Sequence, residues 1–224
     1  MSRSACLDLA HRLSGDRSGV ALLEFAFGLP ILLVLSLTGA ELTNYIITRM
    51  RVSQIALHLA DNAARIGSGS QLQAKTISEA DINDLLIGAG LQAGELKLFD
   101  NGRVTISSLE PTANPNTAGT YRIRWQRCRG AKLGRALSYG VAGQATGLNM
   151  TGMGPSTRQA IAPEGGVTMF VEVYYEYQPL VKSSLAPSTA MTEIASMMVR
   201  DRRDTVGGTN GVYQVAGVTP SSCT

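Results

Sequence analysis

From Val20 to Ile47 the chain reads VALLEFAFGLPILLVLSLTGAELTNYII, 28 residues without lysine or arginine and with Glu24 and Glu41 as the only charges. As a helix this run measures roughly 42 Å at about 1.5 Å per residue, more than a hydrocarbon core of roughly 30 Å requires. Its uncharged centre, Phe25 to Ala40, is 16 residues long. A cleavable secretory signal has a shorter apolar core followed by a small-residue cleavage site, which TGAELTN fits poorly. A buried helix of a soluble protein would need cover on every side. A retained membrane anchor is the expectation, with residues 1–19 as leader, 20–47 as transmembrane helix and 48–224 as one domain.

The remaining composition sets limits on that domain. Without leader and anchor about 175 residues remain, enough for one hydrophobic core. The net charge of +3 argues for no nucleic-acid field, and 24 glycines with 5% aromatics suggest long loops. Arginines lie on both sides of the anchor (Arg3, Arg12, Arg17 before; Arg49, Arg51, Arg65 after), so loop charge does not orient it. The cysteines say more. Cys6 is in the leader, whereas Cys128 and Cys223 form an even pair downstream, suited to a disulfide in an oxidising compartment. Closing that loop of about 95 residues would remove on the order of 4–5 kcal/mol of unfolded-state entropy. Two unpaired buried thiols are the alternative. The disulfide reading puts the N-terminus inside and the domain outside.

Beyond the anchor the helix is expected to continue. Arg51, Gln54, His58, Asp61 and Arg65 fall at helical spacing as one polar stripe, while Val52, Ile55, Ala56, Leu57, Leu59, Ala60, Ala63 and Ala64 make a wide apolar arc. That arc is covered either by the chain's own domain or by a second subunit. Gly67-Ser68-Gly69-Ser70 ends the helix. Ser78 with Asp81 marks a second helix over Glu79 to Ile87. Leu96 and Leu98, then Asp100-Asn101-Gly102, then Val104 and Ile106 predict a β-hairpin. Tyr121, Ile123 and Trp125 are expected on one strand face with Arg122 and Arg124 on the other. Met169, Val171, Val173, Tyr175 and Tyr177 alternate with Glu172 and Glu176 as another strand. Gly130 to Gly166 reads as an irregular insertion, Ile194 to Val199 as a last strand or helix, and RDRRD onward as a loose tail.

Catalytic constellations are not found. The histidines are His11 in the leader and His58 on the helical stripe, so a Ser-His-Asp or Cys-His site in the sheet domain lacks its base. Cys128 and Cys223 have no zinc spacing, and GLNMTGMG (Gly147 to Gly154) has no lysine after its glycines. RIRWQRCRGAK interleaves basic and aromatic residues, which a solvated strand face explains more simply than nucleic-acid binding. The expectation is a protein without cofactor, metal, small-molecule substrate or enzymatic activity.

An acid within an apolar helix costs about 2.5–3.5 kcal/mol at the bilayer centre, less at an interface. Glu24 either reaches water at the cytoplasmic interface or serves assembly. Glu41 either marks the outer interface or pairs with a partner helix. The pattern around them is distinctive: Arg17, Gly19, Glu24-Phe25, Pro30 and Glu41 in RSGVALLEFAFGLPILLVLSLTGAEL. It resembles the N-terminal signature of the TadE-like family of tight-adherence pilus assembly proteins, and more broadly type IV pilins and pseudopilins, over about residues 17–66. The resemblance implies cleavage by a prepilin peptidase between Gly19 and Val20, and Glu24 paired with a neighbouring subunit's α-amine. It implies an α+β fold in which the helix extends into a small antiparallel-sheet, pilin-like periplasmic domain. It implies a non-enzymatic minor pilin, pseudopilin or assembly factor in the bacterial inner membrane. Its partners would be other pilus subunits through Glu24, Phe25 and Glu41, and secretin-side proteins. The alternative is a membrane-tethered periplasmic binding module whose ligand meets the Gly130–Gly166 insertion.

Overall fold

The computed structural model describes residues 18–70, 72–181 and 189–223. The leader with Arg3, Cys6, His11, Arg12 and Arg17 lies outside the described residues, apart from the boundary at Gly19. The chain is α+β: a long apolar N-terminal helix and a small antiparallel sheet. It divides into two compact units, residues 18–44 with 179–181, and residues 45–178 with 189–223.

Helix α1 runs from Ser18 to Arg65 and passes through Pro30. In the first unit its apolar side chains face outward: Leu22, Phe25, Phe27 and Leu35 are each about two-thirds exposed or more (72%, 65%, 73% and 68%). This one helix is long and apolar enough to cross a membrane.

In the second unit the same helix is amphipathic. Val52, Ile55, Ala56, Leu59, Ala60, Ala63 and Ala64 are buried, while Arg51, Gln54, His58 and Arg65 are exposed. The wide apolar arc is therefore enclosed by the chain's own domain, Leu57 excepted, which stays half exposed. The last turn leaves backbone carbonyls without helical partners. Half-buried Arg203 donates to the carbonyls of Ala63 (3.3 Å), Ala64 (3.3 Å) and Ile66 (2.8 Å). A cation there also complements the negative end of the helix dipole. Gly67, at φ +108°, then turns the chain so that Ser68 and Thr76 exchange backbone hydrogen bonds; a Cβ would lie 2.7 Å from the Thr76 oxygen.

Strand β1 (Ile77–Ser78) leads into α2 (Glu79–Ala93) through a capping box, in which Ser78 Oγ accepts from the Asp81 N–H and Asp81 accepts from the Ser78 N–H. The hairpin expected next does not form. Leu96 closes a 3₁₀ turn (Gly94–Leu96) and Leu98 opens a short helix, α3 (Leu98–Asn101). Left-handed backbone at Gly94 and Lys97 breaks any extended run, and both leucines are buried from helical turns. Gly102 is the first residue of a strand rather than a turn residue.

The main sheet contains β2 (Gly102–Pro111), β3 (Tyr121–Arg129), β4 (Thr168–Glu176) and β5 (Ala190–Met198), all antiparallel in the order β3-β2-β4-β5. Val104 and Ile106 pair with Val173 and Val171 on one face, and Ser107 and Thr105 with Phe170 and Glu172 on the other. A bulge in β3 opposite Ser108 and Leu109 breaks the alternation. Ile123 pairs with Leu109 and Trp125 with Ser108, so Trp125 lies on the face opposite Tyr121 and Ile123. This corrects the single face expected for those three residues.

The face carrying Ile106 is tied to the helices. Glu193 of β5 bonds Arg49 at 2.7 Å, Tyr177 stacks edge-on against Tyr45, Arg127 pairs with Glu79, and the Tyr175 hydroxyl donates to the Leu96 carbonyl. The face carrying Phe170 is covered by the irregular 130–166 segment. Tyr139 stacks against Phe170, and Met153, Ala160 and Ala162 close a core over Leu109, Tyr121 and Ile123.

The expected loose tail is held in place. Its β6 (Val212–Tyr213) pairs in parallel with β1. Asp204 accepts from the N–H groups of Val206 and Gly207 and from the Tyr213 hydroxyl, which holds its carboxyl below the ordinary range.

Candidate functional site

The residues singled out by sequence fall into separate regions. Gly19, Val20, Glu24 and Phe25 are all exposed on the outward-facing apolar stretch of α1, and space is open around Gly19. Glu41 sits differently. It is fully buried, and its carboxylate accepts the backbone N–H of Val181 at 3.0 Å. An acid positioned to receive a backbone donor within its own unit is a structural acceptor in its own right.

Cys128 and Cys223 are joined in a disulfide. Around it the tail lies along the outer edge of β3. The Cys128 N–H donates to the Ser221 carbonyl at 2.9 Å, Asn83 donates to the Thr219 carbonyl, and Ser221 donates to Asn83. Arg124 donates to the Thr205 carbonyl through Nε and Nη2. At the other end of that edge Tyr121 and Met150 exchange backbone bonds.

The basic residues of β3 are engaged internally. Arg127 forks onto Glu79, with Nε–Oε2 at 2.8 Å, and Gln214 adds a bond to the same carboxylate. Arg129 lies over the Phe99 ring at 5.3 Å. Arg122 and Arg124 flank buried Glu110 at 4.0 and 3.9 Å. Those separations are too long for hydrogen bonds, so attraction only partly offsets burial, and the Glu110 carboxyl rises to about 7. The solvated basic face suggested by RIRWQRCRGAK is thus largely an internal network.

Across the sheet, Arg103 is buried beneath the 130–166 segment. Its guanidinium donates to the carbonyls of Leu133, Arg135 and Ala136 and stands 3.7 Å from Glu172, which also accepts from Ser138. Burial lowers the Arg103 pKa. Arg135 in turn stacks on Tyr174 at 4.0 Å. Glycine richness marked this segment as irregular but gave no sign that it is anchored on a buried ion pair. The signal was present only as charged residues at inward-facing strand positions.

Among the described residues no group of three or more His, Cys, Asp or Glu side chains is placed to hold a metal ion. An open cleft of about 460 Å³ lies between α1 and α2, lined by Leu59, Asn62, Asp81, Asp84, Gly88 and Gln92. A second, of about 430 Å³, runs between β5 and the 153–160 turn. No family model matches the chain, and no curated protein or solved structure is similar to it.

Proposed function

We propose that the protein is a non-enzymatic component of a tight-adherence, type IV-like pilus, a minor pilin, pseudopilin or assembly factor held in the inner membrane by α1. The observation that carries this reading is the outward-facing apolar stretch of α1, which begins with Gly19 and holds an exposed Glu24-Phe25 in its first turns. Such a surface suits lipid or neighbouring helices. The TadE-like pattern of Arg17, Gly19, Glu24-Phe25, Pro30 and Glu41 suits a pilus subunit. The Cys128–Cys223 disulfide supports a periplasmic domain and a cytoplasmic N-terminus.

In this mechanism a prepilin peptidase cuts after Gly19 and leaves the Val20 α-amine as a cation beside the apolar phase. Glu24 of an adjacent subunit neutralises it as helices pack, a pairing strengthened by the low dielectric and partly offset by desolvation. Genes for a secretion ATPase and a prepilin peptidase are expected beside its own.

Glu24→Ala tests the reading. Membrane insertion should be unchanged, because the substitution makes the span more apolar, while assembly of surface pili should fall sharply. Normal piliation would refute charge pairing by Glu24. Mass spectrometry of the membrane-extracted protein tests cleavage separately, with Val20 expected as first residue and Met1 as the result that removes the peptidase step.

A further inference from the structure

The two outer edges of the sheet are finished unequally. The β3 edge is covered by the tail, the disulfide and the Tyr121–Met150 pair. The β5 edge carries no strand among the described residues. Its backbone phase can be read from its ends: the Thr189 carbonyl bonds the Tyr177 N–H, and the Val199 N–H bonds the Val167 carbonyl. Both odd-numbered ends turn toward β4, and the register between them is unbroken. The even-numbered residues Thr192, Ile194, Ser196 and Met198 therefore direct their N–H and C=O groups outward. Nine residues of edge contain one charge, Glu193, already bonded to Arg49. The strand has no lysine, no proline and no bulge, so Glu193 is its single guard against pairing.

Beside this edge lies the cleft of about 430 Å³, within the range of roughly 300–1,000 Å³ typical of ligand sites. Its floor is the half-buried Ile194, with Met153 and Phe170 buried beneath, and one wall is the turn in which Met153 and Ala160 exchange backbone bonds. Arg158 projects from that turn, exposed and without an ion pair among the described residues. We propose that β5 and this cleft bind an extended segment of another protein as a fifth strand, with an apolar side chain over Ile194 and an acidic one facing Arg158.

Charge separates this occupant from a second copy of the chain. Antiparallel β5–β5 pairing would bring Thr192, Ile194 and Ser196 to the cleft side, none of them acidic; Glu193 also lines the cleft, but its carboxylate is bonded to Arg49. Self-pairing would leave Arg158 unmatched. A foreign strand with apolar and acidic residues two positions apart satisfies both the floor and the cation, since strand side chains repeat on one face every second residue. The proposal is independent of the pilus reading, because it concerns only the 45–178 and 189–223 unit.

The test uses the full chain in detergent micelles and two blocked, fluorescein-labelled peptides, Thr-Val-Thr-Leu-Thr-Glu-Thr and its Glu-to-Lys counterpart. The Glu peptide should bind and slow hydrogen exchange at the amides of Thr192, Ile194, Ser196 and Met198. Arg158→Glu should weaken the Glu peptide about fivefold and favour the Lys peptide by a similar factor. Ser196→Pro, which removes an outward N–H and spares the β4 ladder, should abolish both the binding and the protection. If that variant fails to fold, the Arg158→Glu charge swap decides alone. No protection at millimolar peptide, or equal affinity of both peptides for both proteins, would overturn the proposal. Concentration-dependent protection of the same amides without peptide would assign the edge to a second copy and overturn it as well.

Discussion

On one face of the sheet Val104, Ile106, Val171 and Val173 lie under helices whose buried side is Val52, Ile55, Ala56 and Leu59. On the other face Arg103, Glu172 and Gln126 lie under the loop segment and bond to it: Arg103 to three carbonyls, Gln126 to the Gly140 carbonyl and the Ala142 N–H, and Glu172 to the Ser138 hydroxyl. The difference follows from what each cover can supply. A helix satisfies most of its own backbone and offers mainly side chains, so the centre of its partner face is apolar and polar ties such as Glu193–Arg49 and Arg127–Glu79 run from side chain to side chain. An irregular segment has unpaired carbonyls and N–H groups, so a face that buries it must carry donors and acceptors. Long side chains such as Arg103 reach several of these at once.

The sharpest way to break this contrast is Arg103→Ala. It removes the donor to three carbonyls and leaves Glu172 buried without its cation. Loss of one partner from a buried pair costs about 3–5 kcal/mol, which should appear as a large drop in chemical-denaturation midpoint. Exchange should accelerate first in residues 130–166, while the amides of α2 keep their protection. A uniform loss across both faces would show that the covers are not separable. Replacing the pair by methionine and leucine together should restore only part of the stability, because the lone charge is gone but the three carbonyls still lack their donor.

A second, smaller effect concerns the tail. Cys128 shares the loop-covered face with Thr105, whose hydroxyl lies 3.3 Å from its sulfur. Cys128→Ala with Cys223→Ala should cost about 2–4 kcal/mol in urea denaturation, since the 95-residue loop becomes unconstrained in the unfolded chain. Protection at the Cys128 amide, which depends on the Ser221 carbonyl, should fall more than protection in β4. Equal loss in both would mean that the tail is integral to the sheet rather than a cover for its edge.

The same contrast explains what was legible in the sequence. Helix α1 and its polar stripe, the Ser78–Asp81 cap, the β4 strand and the cysteine pair are local or compositional signals, and the structure contains each of them. Trp125 departs from the face its spacing predicts because a β3 bulge depends on pairing with β2, which no single segment displays. Leu96 and Leu98 show a strand period and are buried from helical turns, since period two over three residues is too short to exclude helix. Alternation places Glu172 opposite Val171 and Val173 but does not show that this second face is buried too. The β5 edge and Arg158 carry no motif at all. They become visible only once the strand order shows which strand is last.

Glu110 gives the finest comparison, because it sets a second buried carboxylate against Glu172. By position it shares the Ile106 face, and it lacks the hydroxyl donor that Ser138 gives Glu172. Its side chain is 7% exposed, and burial raises its carboxyl from 4.5 to about 7 despite two nearby guanidiniums. The folded state therefore holds a proton that the unfolded state has already released between about pH 4.5 and 7, and stability falls as pH rises through that window. Glu110→Gln keeps the shape and removes the ionisation. The variant should match the parent near pH 5 and exceed it by about 1–3 kcal/mol at pH 8, measured as denaturation midpoints across pH. A variant less stable than the parent at pH 8 would mean that attraction to Arg122 and Arg124 outweighs desolvation. Glu110 would then be held by charge, as Glu172 is on the loop-covered face.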